Sequence, residues 1–150
     1  MRDHFRLKTA VFLVLEQGGK ILLLRRANTG HRDGQYGLVA GHVDGGEPVT
    51  QAMIREASEE AGITIAPADL EVVHVMHRHS EVASTNADEY VDFYFKATRY
   101  SGELRNMEPE KCDDLSWFPA SNLPENTIDY VRHALECIEQ GVTFSEYGWE

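Results

Sequence analysis

The apolar positions of the chain fall into short runs with different periods. Leu7 to Leu15, LKTAVFLVL, is apolar and partly β-branched and stops at Gln17-Gly18-Gly19, after which Lys20 to Arg26 resumes with ILLL and ends on two arginines. The pair predicts a hairpin. Tyr36 to Gly41 predicts a short strand, Leu70 to Arg78 an alternating one, and Asp114 to Phe118 another short one in which Trp117 and Phe118 are expected in the core. Glu89 to Thr98 is aromatic, β-branched and alternating: Val91, Phe93, Phe95 and Ala97 form the expected core face, and Tyr90, Asp92, Tyr94 and Lys96 lie opposite. A helical period appears twice. The first helix starts near Pro48, a residue tolerated at a helix start, and its packing side is expected to carry Ile54, Ala57 and Ala61. The second carries Ile128, Val131, Leu135 and Ile138 between a cap at Asn126 or Thr127 and a stop at Gly141. Ala27 to Gln35, Ser80 to Asp88 and Gly102 to Lys111 predict loops, the second of them mobile. The tail from Val142 holds Phe144, Tyr147 and Trp149, too aromatic for a free linker, and is expected to dock on its own domain or across a homodimer.

The first helix has more acid than its stability favours. Glu56, Glu59 and Glu60 stand at i, i+3 and i+4, within an arc of about 100°. Like charges at that spacing destabilise a helix, and anions at its C-terminal end oppose the macrodipole. A solvated acidic face is one reading. A site for a hard divalent cation is the other, because clustered carboxylate oxygens are what magnesium or manganese requires.

The stretch Gly41 to Ile63, GHVDGGEPVTQAMIREASEEAGI, resembles the Nudix box, Gly-x5-Glu-x7-Arg-Glu-apolar-x-Glu-Glu-x-Gly-apolar, and every fixed letter is present. The resemblance implies that Glu56, Glu59 and Glu60 hold one or more divalent metals, magnesium or manganese, on the pyrophosphate of a substrate. Glu56 or Glu59 would also activate the attacking water. It implies that Arg55 orients the carboxylates, pairing with Glu47, that Gly62 ends the helix, and that Gly41 offers a backbone carbonyl to metal. Many members have Trp where Tyr36 stands and Pro-Gly-Gly where Val39-Ala40-Gly41 stands, a departure that bears on the path of this loop. The similarity continues beyond the box: Asn106, the run Glu108 to Cys112, Trp117 and Leu123-Pro124 follow the order found in small nucleotide-hydrolysing members of the family. There an acid outside the box often supplies a further metal contact or the base, which nominates Glu108 and, second, Glu110. The implied fold is an α/β/α sandwich with a mixed sheet between helices.

Arg25 and Arg26, at the end of their strand, are candidate phosphate contacts, or else they cap a strand edge at the surface. His74, His77 and His79 cluster without a Cys or Asp to complete a zinc set, and strand alternation puts His74 opposite the other two. With 150 residues, 42% hydrophobic and 26% charged, the chain is expected to form one domain, and a net charge of −11 argues against a nucleic-acid polymer or an anionic membrane as partner. A small nucleotide carried with a divalent metal is compatible with that charge. The polar start from Met1 to Lys8 is unlike a signal peptide, so the expected location is cytoplasmic. Cys112 and Cys137 form no CxxC motif and are read as ordinary thiols.

Phosphoanhydrides resist hydrolysis because their charge repels nucleophiles, so a catalyst must neutralise that charge and position water. The primary reading is metal-dependent hydrolysis of a nucleoside triphosphate, ordinary, oxidised or modified, to monophosphate and pyrophosphate. The alternatives are a pyrophosphatase acting on ADP-ribose, a nucleotide sugar or another nucleoside diphosphate derivative, and a nucleotide-binding sensor that does not cleave.

Overall fold

The structure, a computed structural model, describes residues 3–80 and 88–149. Its centre is a five-stranded mixed sheet in the order β5-β1-β7-β6-β9, formed by β1 (Lys8–Val14), β5 (Val39–His42), β6 (Leu70–Ser80), β7 (Asp88–Ala97) and β9 (Phe144–Tyr147). β1 runs parallel to β7 and antiparallel to β5, and β9 runs parallel to β6. Helix α1 (Val49–Ala61) covers one face and helix α2 (Asp129–Glu139) the other. Val11 and Leu13 of β1 pack with Ala52, Met53, Ala57 and Ala61, and Phe12 and Val14 with Val131, Ala134 and Leu135. The expected sandwich of a mixed sheet between helices is therefore present. A second sheet holds β2 (Glu16–Gln17), β3 (Lys20–Arg26), β4 (Tyr36–Gly37) and β8 (Cys112–Pro119).

Several elements differ from the sequence-based expectation. The two apolar runs are not one hairpin: β1 lies in the middle of the large sheet, and only the short β2 turns back onto β3. A strand that is apolar on both faces is most stable where helices cover both. The stretch from Tyr36 likewise divides, β4 in the small sheet and β5 in the large one. The face of β7 that holds Asp92 and Tyr94 is as buried as the Phe95 face, because α2 closes over it. In α1 the fully buried residues are Ala52, Met53, Ala57 and Ala61, while Ile54 is half-buried; Pro48 sits in the N-cap position. α2 begins at Asp129, after Thr127 has turned its hydroxyl onto the Pro124 carbonyl.

The aromatic tail docks on its own sheet. Buried His74 holds it, with Nδ1 at 2.8 Å from the Val142 carbonyl and Nε2 at 2.7 Å from Ser145 Oγ. Trp149 donates its indole N–H to the His77 carbonyl and packs on the rings of His77 and His79. The predicted mobile loop from Ser80 to Asp88 lies, apart from its two end residues, outside the described residues. Among the described residues, no helix is long and apolar enough to cross a membrane.

Candidate active site

A cleft of about 650 Å³ opens between the two sheets. One end is built by α1. Gly62, in the left-handed conformation at φ 70°, closes the helix with its N–H on the Ser58 carbonyl. This leaves Glu56, Glu59 and Glu60 directed into the cleft.

Arg55 organises them. Its Nε and Nη2 donate to the two carboxylate oxygens of Glu47 at 3.2 and 2.9 Å, and Nη1 donates to Glu56 at 2.8 Å and Glu59 at 3.5 Å. Nη2 also reaches the His42 carbonyl at 3.2 Å. Glu47 in turn accepts the Asp44 N–H at 2.8 Å, so the loop ahead of α1 is tied to the helix through one guanidinium. That double hold keeps the Glu47 carboxyl below the usual carboxylate range, whereas burial is the larger influence on Glu56 and pushes it up. The predicted pairing of Arg55 with Glu47 is what the structure contains.

Gly41 faces Glu56 so closely that a Cβ built there would fall inside the carboxylate. The glycine is required by the space that Glu56 occupies, a reason the sequence pattern alone does not supply. Glu60 is the most deeply placed of the acids. It accepts the Ala40 N–H at 2.8 Å, and burial, with added repulsion from Glu56 and Glu108, raises its carboxyl to about 8.

Glu108 joins this end from the loop before β8. Asn106 shapes that loop: its Oδ1 accepts the Glu108 N–H at 3.1 Å and its Nδ2 donates to the Cys112 carbonyl at 2.6 Å. Glu110 does not line the cleft; its carbonyl accepts from Asn28. Lys111, which the sequence reading passed over inside the Glu108–Cys112 run, does line it.

The two adjacent arginines of β3 part company. Arg26 lines the cleft and braces the following loop through the His31 carbonyl at 2.8 Å. Arg25 corrects the expectation: strand alternation turns it to the other face, where its Nε donates to Asp113 at 2.7 Å and its guanidinium lies over Tyr36. Tyr36 also bonds Asp114 through its hydroxyl. Of the nominated phosphate contacts, only Arg26 is in the cleft.

The opposite end is aromatic and was not foreseen. Phe12, Tyr90 and Tyr130 line it together with Arg78, whose Nε and Nη2 donate to Asp92 at 2.6 and 3.1 Å. The ring centroids of Tyr90 and Tyr130 lie 4.2 and 4.1 Å from the guanidinium carbon. The signal that existed was the Tyr90/Asp92 face of β7, amphipathic rather than polar.

The acidic end suits a hard divalent cation in its donors, which are carboxylate oxygens from two elements converging on one cleft, with Gly41 leaving room for them. Among the described residues no three acidic, histidine or cysteine side chains are already closed around a single point, since Arg55 holds Glu56 and the Ala40 amide holds Glu60.

Residues 4–136 match the model of the NUDIX domain. The chain is 32% identical over 127 residues to the NAD-capped RNA hydrolase NudC of Pseudomonas aeruginosa, a match covering 83% of this chain and 40% of that protein. It is 28% identical over 123 residues to the ADP-ribose pyrophosphatase of Methanocaldococcus jannaschii, covering 82% of this chain and 68% of that one. The chain thus spans about two fifths of the length of the NudC proteins it matches. The crystal structure of a MutT NUDIX hydrolase from Burkholderia pseudomallei superposes with a TM-score of 0.77 at 30% identity, over 88% of this chain and 98% of that chain. Family model, relatives and fold agree with one another: the chain belongs to the NUDIX hydrolases, a family that acts on nucleotides and generally uses divalent metal cations.

Proposed function

We propose that the chain hydrolyses a nucleoside triphosphate to the monophosphate and pyrophosphate. The observation that carries this reading is one cleft that brings Glu56, Glu59, Glu60 and Glu108 together with Arg26 and Lys111, and that is lined further on by Phe12, Tyr90 and Tyr130 with Arg78 and Asp88. Glu56, Glu59, Glu60 and Glu108 would hold a divalent cation, magnesium or manganese, which when bound neutralises phosphate charge and acidifies water. Gly41 would contribute its backbone carbonyl to the same ion. Arg26 and Lys111 draw the phosphate chain to that end and offset the charge that develops there. Glu59 is the acid placed to take the proton of the attacking water: its side chain is 54% exposed and its one tie to Arg55 is long, at 3.5 Å, whereas Glu56 and Glu60 are held in place. Arg55 and Glu47 act through these carboxylates by fixing their positions. The nucleoside occupies the aromatic end.

A second reading, a pyrophosphatase for ADP-ribose or another nucleoside diphosphate derivative, is favoured by the similarity to the archaeal ADP-ribose pyrophosphatase. A magnesium-dependent screen of nucleoside triphosphates, ADP-ribose, nucleotide sugars and dinucleotides, with pyrophosphate and orthophosphate detected separately, decides between them. Pyrophosphate released from a triphosphate is the expected result. Cleavage of ADP-ribose with triphosphates untouched selects the second reading, and no turnover of any of them contradicts both.

A further inference from the structure

Arg78 is held as a reading head is held. Its side chain is 5% exposed and its partner Asp92 is 0% exposed, so the pair is desolvated. Nε and Nη2 each give one hydrogen to Asp92, and the planar group lies over the rings of both Tyr90 and Tyr130. Tyr130 is itself backed by Arg32, which pairs with Asp129 at 3.3 Å. The carboxylate and the two rings together fix the plane of the guanidinium.

Two features make this more than a structural ion pair. A buried pair contributes little that well-packed apolar residues of the same volume would not. The fork made by Nη1 and the second hydrogen of Nη2 has no acceptor among the described residues, and Arg78 lines both the main cleft and an adjoining cavity of about 410 Å³. The charge also matters. Asp92 neutralises Arg78 at close range, while neither Arg26 nor Lys111 has a carboxylate ion pair among the described residues. The phosphates are drawn to the uncompensated cations, and the neutralised fork suits an uncharged acceptor pair.

We propose that Arg78 is a specificity-determining residue that reads the base of the bound nucleotide, giving two parallel hydrogen bonds to the adjacent O6 and N7 acceptors of a 6-oxopurine. The proposal rests on the nucleotide reading above. Guanine and hypoxanthine present that pair, and adenine replaces one acceptor with an amino donor. An 8-oxoguanine base carries a hydrogen on N7 and is refused by the same geometry, so the fork selects the undamaged purine.

The test compares kcat/KM of the unmodified protein, with magnesium, on GTP, ITP, ATP, 7-deaza-GTP and 8-oxo-GTP. GTP and ITP are expected to exceed the other three by about tenfold or more, the discrimination of a good bidentate pair. Arg78→Lys, which offers a point donor in place of a fork, is expected to compress the ratios to within about threefold, a change in selectivity that a purely structural role would not produce. Equal rates on GTP and 7-deaza-GTP, or a preference for ATP or 8-oxo-GTP, overturn the proposal while leaving nucleotide hydrolysis in place; the analogue arm stands even where the variant fails to fold. If no nucleotide is hydrolysed, the functional reading fails, and calorimetric binding of GMP, AMP and 7-deaza-GMP decides for Arg78. GMP bound about tenfold tighter than the other two supports it, and equal affinity or no binding overturns it.

Discussion

Each end of the cleft is ordered by one arginine, and the two do opposite things with charge. Arg55 is shared among Asp44, Glu47, Glu56, Glu59 and the His42 carbonyl, and it makes no ion pair with Glu60 or Glu108 among the described residues, so acid is left in excess. Among the described residues Arg78 has one carboxylate, Asp92, and two rings, so charge is cancelled. A surplus of carboxylate in a half-buried cleft is unfavourable until a cation enters, so under the proposed function activity at that end would depend on metal. A cancelled pair asks for nothing charged and leaves only directional hydrogen bonds, which discriminate shape and pattern rather than net charge.

The strongest way to break this contrast is to remove one acid. Glu59→Gln is expected to lower kcat by about 10²- to 10⁴-fold, the range for a lost general base, while the melting temperature stays or rises because like charges on one helix face are relieved. A variant that unfolds, or one that keeps full activity, contradicts the division. Gly41→Ala puts a methyl group into the place of the Glu56 carboxylate. A loss of roughly 100-fold in kcat is expected, as for other misplacements of about 1 Å, with nucleoside monophosphate affinity at the aromatic end unchanged; loss of both would show that the ends are not separable.

The metal-free protein carries a pH signature of the excess charge. Glu60 is raised to about 8 from its ordinary value of 4.5, so between those two pH values the folded state binds more protons than the unfolded state. Stability from this group is complete below about pH 4.5 and is lost as pH rises towards 8, by at most a few kcal/mol. Thermal denaturation in chelator should therefore show a melting temperature that falls across this window, and Glu60→Gln should flatten the fall. The smallest effects separate neighbours in one strand. Arg26→Ala should raise KM by roughly tenfold, the value of one charge-assisted contact, and Arg25→Ala should leave it within about twofold because its partner is Asp113 on the other face. Equal effects on steady-state kinetics would refute the assignment of faces.

The acidic end was legible from sequence because its residues are local: Gly41, Glu47, Arg55, Glu56, Glu59 and Glu60 follow one loop and one helix whose period fixes their shared face. Glu108 was legible only through its resemblance, since a loop shaped by Asn106 brings it in. Which of Arg25 and Arg26 faces the cleft depends on the register of β3 against β8, set by distant pairing. The aromatic end was not legible, because Arg78 on β6, Tyr90 and Asp92 on β7 and Tyr130 on α2 meet only after the sheet is built. The same non-local packing buried both faces of β7 and sent β1 and β3 to different sheets.

The central claim, that the surplus carboxylates form the seat of a divalent cation, is tested most directly by calorimetric titration of manganese into the protein at pH 7, repeated in buffers of different ionisation enthalpy. The account predicts binding accompanied by proton release, because a Glu60 carboxyl raised to about 8 must lose its proton to act as a ligand, and predicts that Glu60→Gln binds more weakly and without that release. Absence of binding at millimolar manganese, or binding that Glu60→Gln leaves untouched, would contradict it.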